Sequence, residues 1–242
     1  MLELHQFRHS AFCEKVRLVL RAKRLSFSVV EVTPGLGQLD LFRLSGQRQV
    51  PVLVDGERVI SDSTTIALHL EETVPEPPLL PADPAQRAEV LLLEDWADTT
   101  LAQRARLALL QTMGRDPVLR EALLPEVTPE PLRRAVGAIP AGWASDLGDV
   151  VAARERQLLM ESLEQLAALT ARRAHLVGAT LSLADLAVAA QLSLLRFPAS
   201  AGASLAGRGV PGLHDHPQLQ PLFEWRDAIE ASLTPDPDQA PM

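Results

Sequence analysis

Two side chains near the start of the chain have types and spacing that could do chemistry. In "HSAFCEKVRLVL", residues 9–20, the hydroxyl of Ser10 stands three positions before Cys13, the chain's only cysteine, where an apolar-periodic stretch begins. The pair is either a reactive site or a helix cap beside a buried cysteine. A serine at a helix start satisfies one of the unpaired N–H groups of the first turn. Cys13, Val16 and Leu20 fall at i, i+3 and i+7, on one apolar face. That placement expects a buried thiol with a raised pKa, behaving as a small hydrophobe. With one cysteine, two-thiol disulfide exchange, an internal disulfide and a metal site built on several thiolates are all excluded, and a reducing compartment fits best. No metal is expected.

Three further stretches place polar groups at element boundaries. In "QVPVLVD" (49–55) a proline enters a strand; it cannot donate to a sheet ladder, so it marks an edge, a bulge or a cis turn. If Val50–Pro51 is cis, the Val50 N–H and C=O turn out of the sheet and could pair with an extended peptide ligand. In "SDSTTIALHL" (61–70) Asp62 and Ser63 sit where a helix begins, at the positive end of its dipole. Capping accounts for both. They also suit an α-amino acid terminus, its carboxylate on the Ser63 N–H and hydroxyl and its ammonium on Asp62. In "LVGATLSLADLAVAAQL" (176–192) Ser182 and Asp185 form an S-x-x-D capping pattern, a structural feature worth about 1 kcal/mol.

These residues need elements to hold them. Residues 2–7 and 26–32 read as strands, with a helix between them on the stripe Phe12, Val16, Val19 and Leu20. A mixed segment (34–49) follows, then short strands at 51–54 and 58–60 joined at Asp55-Gly56 as a hairpin, and a helix opened by Asp62. The order β-α-β-(α)-β-β-α predicts a small mixed sheet covered by helices. Residues 74–84, "VPEPPLLPADP", hold five prolines, which no helix passes through. Beyond them no strand pattern appears: a long helix is expected over 85–111, short turns and loop over 115–141, and further helices over 143–174, 182–196 and 217–232. The division expected is a small α/β domain (1–75), a proline-rich linker (76–84) and an all-α domain (85–242), with residues 234–242 a disordered tail.

The 242 residues can bury a real core, and with 47% apolar but only 4% aromatic residues that core must be aliphatic. The net charge of −8 is uneven: residues 1–80 carry 9 basic against 10 acidic side chains, residues 81–242 carry 14 against 21. Neither part offers the basic face that nucleic acid or an anionic membrane requires, so a small-molecule partner is favoured. No apolar run approaches the roughly 20 residues of a membrane span, and "MLELHQFRHS" lacks the order of a signal peptide. A cytoplasmic location is expected.

Five stretches, in order, resemble those of the cytosolic glutathione transferases. "SAFCEKVR" is similar to that family's S/C-P-x-[S/C]-x-[R/K]-V-R segment, "SGQRQVPVLVDG" to its N-P-x-x-x-V-P-x-L stretch, and "SDSTTIALHL" to its E/D-S-x-x-I motif. "HLVGATLSLADLAVA" resembles its capping segment and "HPQLQPLFEWRDAI" its closing P-x-L-x-x-W helix. Only 112–142 and 197–214 are poorly covered. Ser45-Gly46 replaces the usual Asn-Pro, and Ala11 the usual Pro. The chain has no tyrosine, which excludes the tyrosine-dependent classes; the resemblance is to a serine-type member.

The resemblance implies a thioredoxin-like first domain (βαβαββα), a helical-bundle second domain and glutathione as co-substrate. Val50, at a cis bond with Pro51, would pair with its cysteinyl part. Asp62 and Ser63 would hold the γ-glutamyl end, and Arg48, with Gln49 beside it, would stand near the glycyl carboxylate. The reactive position falls on Ser10, whose hydroxyl would donate to the glutathione sulfur. Lowering a thiol pKa from about 9 to 7 takes roughly 2.7 kcal/mol. A hydrogen bond to a charged acceptor supplies about 1.5–3 kcal/mol and a helix N-terminus about 0.3–1 kcal/mol more. His9 and Arg8 are alternative sources of positive field. A small hydrophobic electrophile would lie between the domains, with Trp96, Arg104, Trp143 and Phe197 as candidate walls and 115–141 as a candidate cover. The family also implies a homodimer. A glutathione-dependent isomerase or dehalogenase, like the maleylacetoacetate isomerases, and a non-catalytic binding module stand as alternatives.

Overall fold

The computed structural model describes residues 1–33, 36–124, 128, 130–139 and 149–233. Its first part is a four-stranded sheet, β1 (Leu2–Gln6), β2 (Phe27–Glu31), β3 (Val52–Asp55) and β4 (Arg58–Ser61), in the order β2-β1-β3-β4. β1 and β2 are parallel, linked through α1 (Ala11–Ala22); β3 runs antiparallel to β1 and pairs with β4 as a hairpin. The mixed segment contains α2 (Leu36–Ser45), and α3 (Ser63–Thr73) follows β4. This is the thioredoxin-like arrangement that the resemblance implies.

The register fixes where chemistry can gather. His5 pairs with Val52, and Val52 with Ser61. The β1–α1 loop, the Val50–Pro51 turn and the start of α3 therefore leave the sheet at one end, on strands about 5 Å apart.

α1 lies between the sheet and the helical part, packed against α3 and α9. Both its faces are covered, so every residue from Cys13 to Ala22 is buried, charged ones included. The proline-rich segment is tied down by side chains: Lys23 Nζ donates to Pro75 O (3.3 Å) and Pro77 O (2.9 Å), and the Glu71 carboxylate accepts from Leu79 and Leu80 N–H. Both Val50–Pro51 and Glu76–Pro77 are cis.

The rest is helical: α4 (Pro84–Trp96), α5 (Ala102–Arg115), α6 (Pro117–Ala122), α7 (Glu130–Gly137), α8 (Asp149–Thr170), α9 (Leu183–Leu192) and α10 (Gln220–Ser232). α9 is buried throughout. Its Ala184, Ala187, Ala189 and Ala190 let neighbouring backbones close in. Ahead of it, the Asp185 carboxylate accepts from the Ser182 N–H (2.8 Å) and from Leu176 N–H (2.7 Å).

Three expectations change. The helix expected over 85–111 is interrupted by a π-helical turn at Ala97–Leu101. The segment 115–141 holds two short helices as well as turns: Pro117 occupies the first turn of α6, where its missing N–H costs nothing, and Asp116 caps it through Leu119 N–H. The helix expected to 196 ends at Leu192, in turns that bring Arg196 opposite Gly209. Trp143 and the 234–242 tail lie outside the described residues.

Candidate functional site

Ser10 is the N-cap of α1. Its extended backbone (φ −80°, ψ 123°) turns the side chain back, and Oγ accepts from the Cys13 N–H at 3.4 Å. A serine hydroxyl accepts and donates at once, and that of Ser10 also hydrogen-bonds the Cys13 side chain. Cys13 is fully buried, and burial pushes its thiol up to about 11. At neutral pH it is an un-ionised core side chain.

The loop ahead of Ser10 is held from several directions. The Arg8 N–H donates to Glu31 Oε1 (2.7 Å), and the Arg8 carbonyl accepts from Arg17 Nη2 (2.9 Å). Burial raises the Glu31 carboxyl above its usual range. His9 meets Phe197 edge-on, with ring centroids 6.2 Å apart, and burial together with the charges of Arg8 and Arg17 lowers its pKa to about 4. His9 is therefore neutral at pH 7 and contributes no positive field. Of the two neighbours weighed from sequence, only Arg8 is a cation there.

Beside Ser10, between α1 and the 193–201 segment, is a narrow polar pocket of about 30 Å³ that includes Glu14, Ser193, Phe197 and Ser200 in its walls. Gln6, Arg8, His9 and Ala201 are shared with a larger cleft of about 720 Å³, whose apolar side includes Val29, Val118 and Leu124. Phe197, a core side chain that is 3% exposed, lines the narrow pocket and not the larger cleft, to which α6 from the proline-broken segment contributes Val118, Glu121 and Ala122. Trp96 packs against the core, and Arg104 pairs with Glu155 (3.2 Å) and Ser162 (3.2 Å).

The remaining residues expected from sequence stand at the same sheet end. Among the described residues, neither backbone group of Val50 pairs with another backbone group. The exposed Arg48 guanidinium rests over the Phe42 ring, 5.7 Å from its centroid, and the Arg48 carbonyl accepts from Gln38 (3.3 Å); Gln49 is exposed, and its carbonyl accepts from Gln47 at 3.4 Å. Asp62, with φ 76°, caps α3 by accepting from Thr65 N–H at 2.9 Å.

Ser63 is 2% exposed, and its hydroxyl turns inward to donate to Asp98 Oδ2 at 3.3 Å. That contact belongs to a buried cluster not anticipated from sequence. Lys15 Nζ, fully buried, meets Glu94 Oε1 at 2.5 Å, Thr64 Oγ1 at 3.0 Å and the Asp98 carboxylate. Gln191 Nε2 donates to Asp98 from α9 at 3.3 Å. The π turn begins just before Asp98, which puts that carboxylate on Lys15 and Ser63. One sequence signal existed. Glu94 and Asp98 lie four apart on a single helix, a like-charge spacing that calls for a cation between them.

Among the described residues, no group of three or more His, Cys, Asp or Glu side chains is gathered as for a metal ion, and no helix is long and apolar enough to cross a membrane.

Comparison with known proteins places this geometry. The family model described as the glutathione S-transferase N-terminal domain matches residues 4–78. FtsZ-localized protein A of Caulobacter vibrioides is 32% identical over 199 residues, covering 80% of this chain and 77% of that protein. A zeta-class glutathione S-transferase of Euphorbia esula is 34% identical over 116 residues, 47% of this chain and about half (52%) of the relative. The crystal structure of a glutathione S-transferase from Rhodospirillum rubrum superposes with a TM-score of 0.67 at 28% identity, covering 96% of this chain and 88% of that one. The chain belongs to the cytosolic glutathione S-transferase family.

Proposed function

We propose that the chain is a glutathione transferase that binds glutathione across the sheet end formed by residues 7–10, 50–51 and 62–63 and activates its thiol at Ser10. The observation that carries this reading is the His5–Val52–Ser61 register, which brings three polar boundaries to one place. Val50 offers an unpaired backbone edge to the cysteinyl part, and the α3 N-terminus, with the Ser63 N–H and Asp62, offers the complement of the γ-glutamyl end. Because the Ser63 hydroxyl is engaged by Asp98, its N–H carries the carboxylate contact. Arg48 and Gln49 reach the glycyl carboxylate.

The thiol gives its proton to solvent and the resulting thiolate is held by the Ser10 O–H and the α1 N-terminus. It then attacks an electrophilic carbon; the sulfur–carbon bond forms as the leaving group departs with its electron pair. Ser10 forms no bond to substrate. The small hydrophobic electrophile occupies the larger cleft beside His9. The setting is cytoplasmic, and two copies associate through apolar side chains left exposed on β4, α3 and α4, among them Val59, Leu68 and Leu92. A sedimentation mass equal to one chain contradicts that last point.

A second reading, a binding module without turnover, is favoured by the match to FtsZ-localized protein A over most of both chains. A glutathione-dependent isomerase is favoured by the zeta-class match. Retention on immobilised glutathione followed by a panel of electrophiles separates the three. Retention with conjugation supports the transferase, retention with cis–trans isomerisation alone supports the isomerase, and neither retention nor turnover leaves the module.

A further inference from the structure

We infer that Arg17 and Glu31 are positioning residues that clamp the Arg8 peptide from both sides and thereby set the place of the Ser10 hydroxyl. The functional part of this rests on the thiol-activating role proposed for Ser10.

The contacts form a closed circuit. Glu31, at the end of β2, accepts the Arg8 N–H at 2.7 Å. Arg17, two turns into α1, reaches back to the Arg8 carbonyl with Nη2 at 2.9 Å. The Gln6 side chain joins the two: its carbonyl accepts from Arg17 Nη1 at 2.5 Å and its amide donates to Glu31 Oε2 at 3.3 Å. Glu14 completes the coordination of Arg17 through an ion pair. The Ser10 N–H then closes the turn on Phe7 O at 3.0 Å. Gln6, Glu14 and Arg17 are 2%, 6% and 8% exposed, while Arg8 and Glu31 are half-buried at the edge of the larger cleft.

Burying a guanidinium is expensive, and an ion pair sequestered in this way is weak evidence for stability; an apolar replacement of similar volume would hold α1 to the sheet at least as well. What an apolar residue would not supply is the fixed two-pronged donor. Only a planar fork meets Gln6 and the Arg8 carbonyl at once. The peptide so held lies two residues from the hydroxyl whose position decides thiolate stabilisation, where a displacement of 1 Å costs about 100-fold.

The experiment compares R17K, E31A and E31Q with wild type. R17K keeps the charge and loses the fork, and E31Q keeps an acceptor for the Arg8 N–H. Amide exchange in the unliganded protein is expected to speed up at Ser10 in R17K and E31A, and E31Q to stay near wild type. With glutathione bound, R17K and E31A are expected to raise the pH at which the thiolate absorbance appears and to lower kcat about 10- to 100-fold with KM nearly unchanged. Wild-type Ser10 exchange in R17K and E31A overturns the clamp, as does a fall in melting temperature with no change at Ser10. Normal thiolate titration in R17K beside a defective R17Q overturns it in favour of a plain charge effect. If wild-type protein gives no heat with glutathione, the thiol reading falls, and exchange at Ser10 still decides the clamp.

Discussion

The Lys15 ammonium lies 2.5 Å from the Glu94 carboxylate in a place where neither reaches water: Lys15 is fully buried and Glu94 is 3% exposed. One cation on α1 thus joins the sheet part to α4, and through Asp98 to the π turn, α3 and α9. Replacing Lys15 with Met strands two carboxylates four residues apart. Loss of one partner of a buried pair costs about 3–5 kcal/mol. K15M is therefore expected to lower stability to urea by that order, and adding E94Q and D98N in the same chain to recover most of it. A loss under 1 kcal/mol for K15M would show that the cluster does not hold the two parts together.

Cys13 is inert. Its thiol, fully buried and pushed up to about 11, reacts as the un-ionised form at pH 8. A disulfide reagent is expected to label it only after urea unfolding, with C13A retaining glutathione binding. Rapid labelling of the folded protein contradicts this placement.

The pH dependence of stability carries two opposed contributions. The Glu230 carboxyl, raised to about 7 by burial and then by the Glu14 charge, keeps its proton between pH 4.5 and 7 while the unfolded chain loses it. That contribution is complete below 4.5 and is lost as pH rises through 7. His9, lowered to about 4, behaves oppositely: the unfolded chain takes up a proton below 6.5 that the folded one refuses, so stability falls as pH drops from 6.5 through 4. Relative to wild type, E230Q is expected to gain stability as pH rises from 4.5 to 8. H9Q is expected to gain as pH falls from 6.5 to 4. Urea midpoints across pH read both, and parallel curves for variant and wild type contradict the assignments.

Two glycines separate space from backbone strain. A Cβ on Gly209 would stand 1.9 Å from the Leu195 carbonyl oxygen and 2.8 Å from Arg196 Cα, both backbone atoms that cannot yield cheaply. Gly207, with φ +75°, has open space and pays only for its conformation. G209A is expected to cost about 3 kcal/mol and G207A about 1 kcal/mol. Equal melting temperatures for the two variants would rule out the close approach.

Much of this was legible in the chain. Alternation, turn residues and caps gave the strand and helix order, because those signals are local: Ser10, Asp62 and Ser182 all stand ahead of helices where their chemistry placed them. The interruption at Ala97–Leu101 was not legible, since a π turn has no local signature and is selected by where Asp98 must point. The short helices within 115–141 were hidden by prolines that occupy first turns as readily as they end helices. Burial of Lys15 and Arg17 was missed for a related reason. They flank Val16 on α1, and the groups that meet them come from other parts of the chain: Thr64, Glu94 and Asp98 on Lys15, Gln6 and the Arg8 carbonyl on Arg17. The inward turn of the Ser63 hydroxyl likewise depends on a carboxylate 35 residues away.

The most direct test of the account is the absorbance of glutathione thiolate bound to wild type and to S10A, titrated against pH. The account predicts that wild type holds the thiolate near pH 7 and that S10A raises its apparent pKa by about one to two units, the equivalent of one charge-assisted hydrogen bond, with binding largely kept. Superimposable titrations for the two proteins would contradict it.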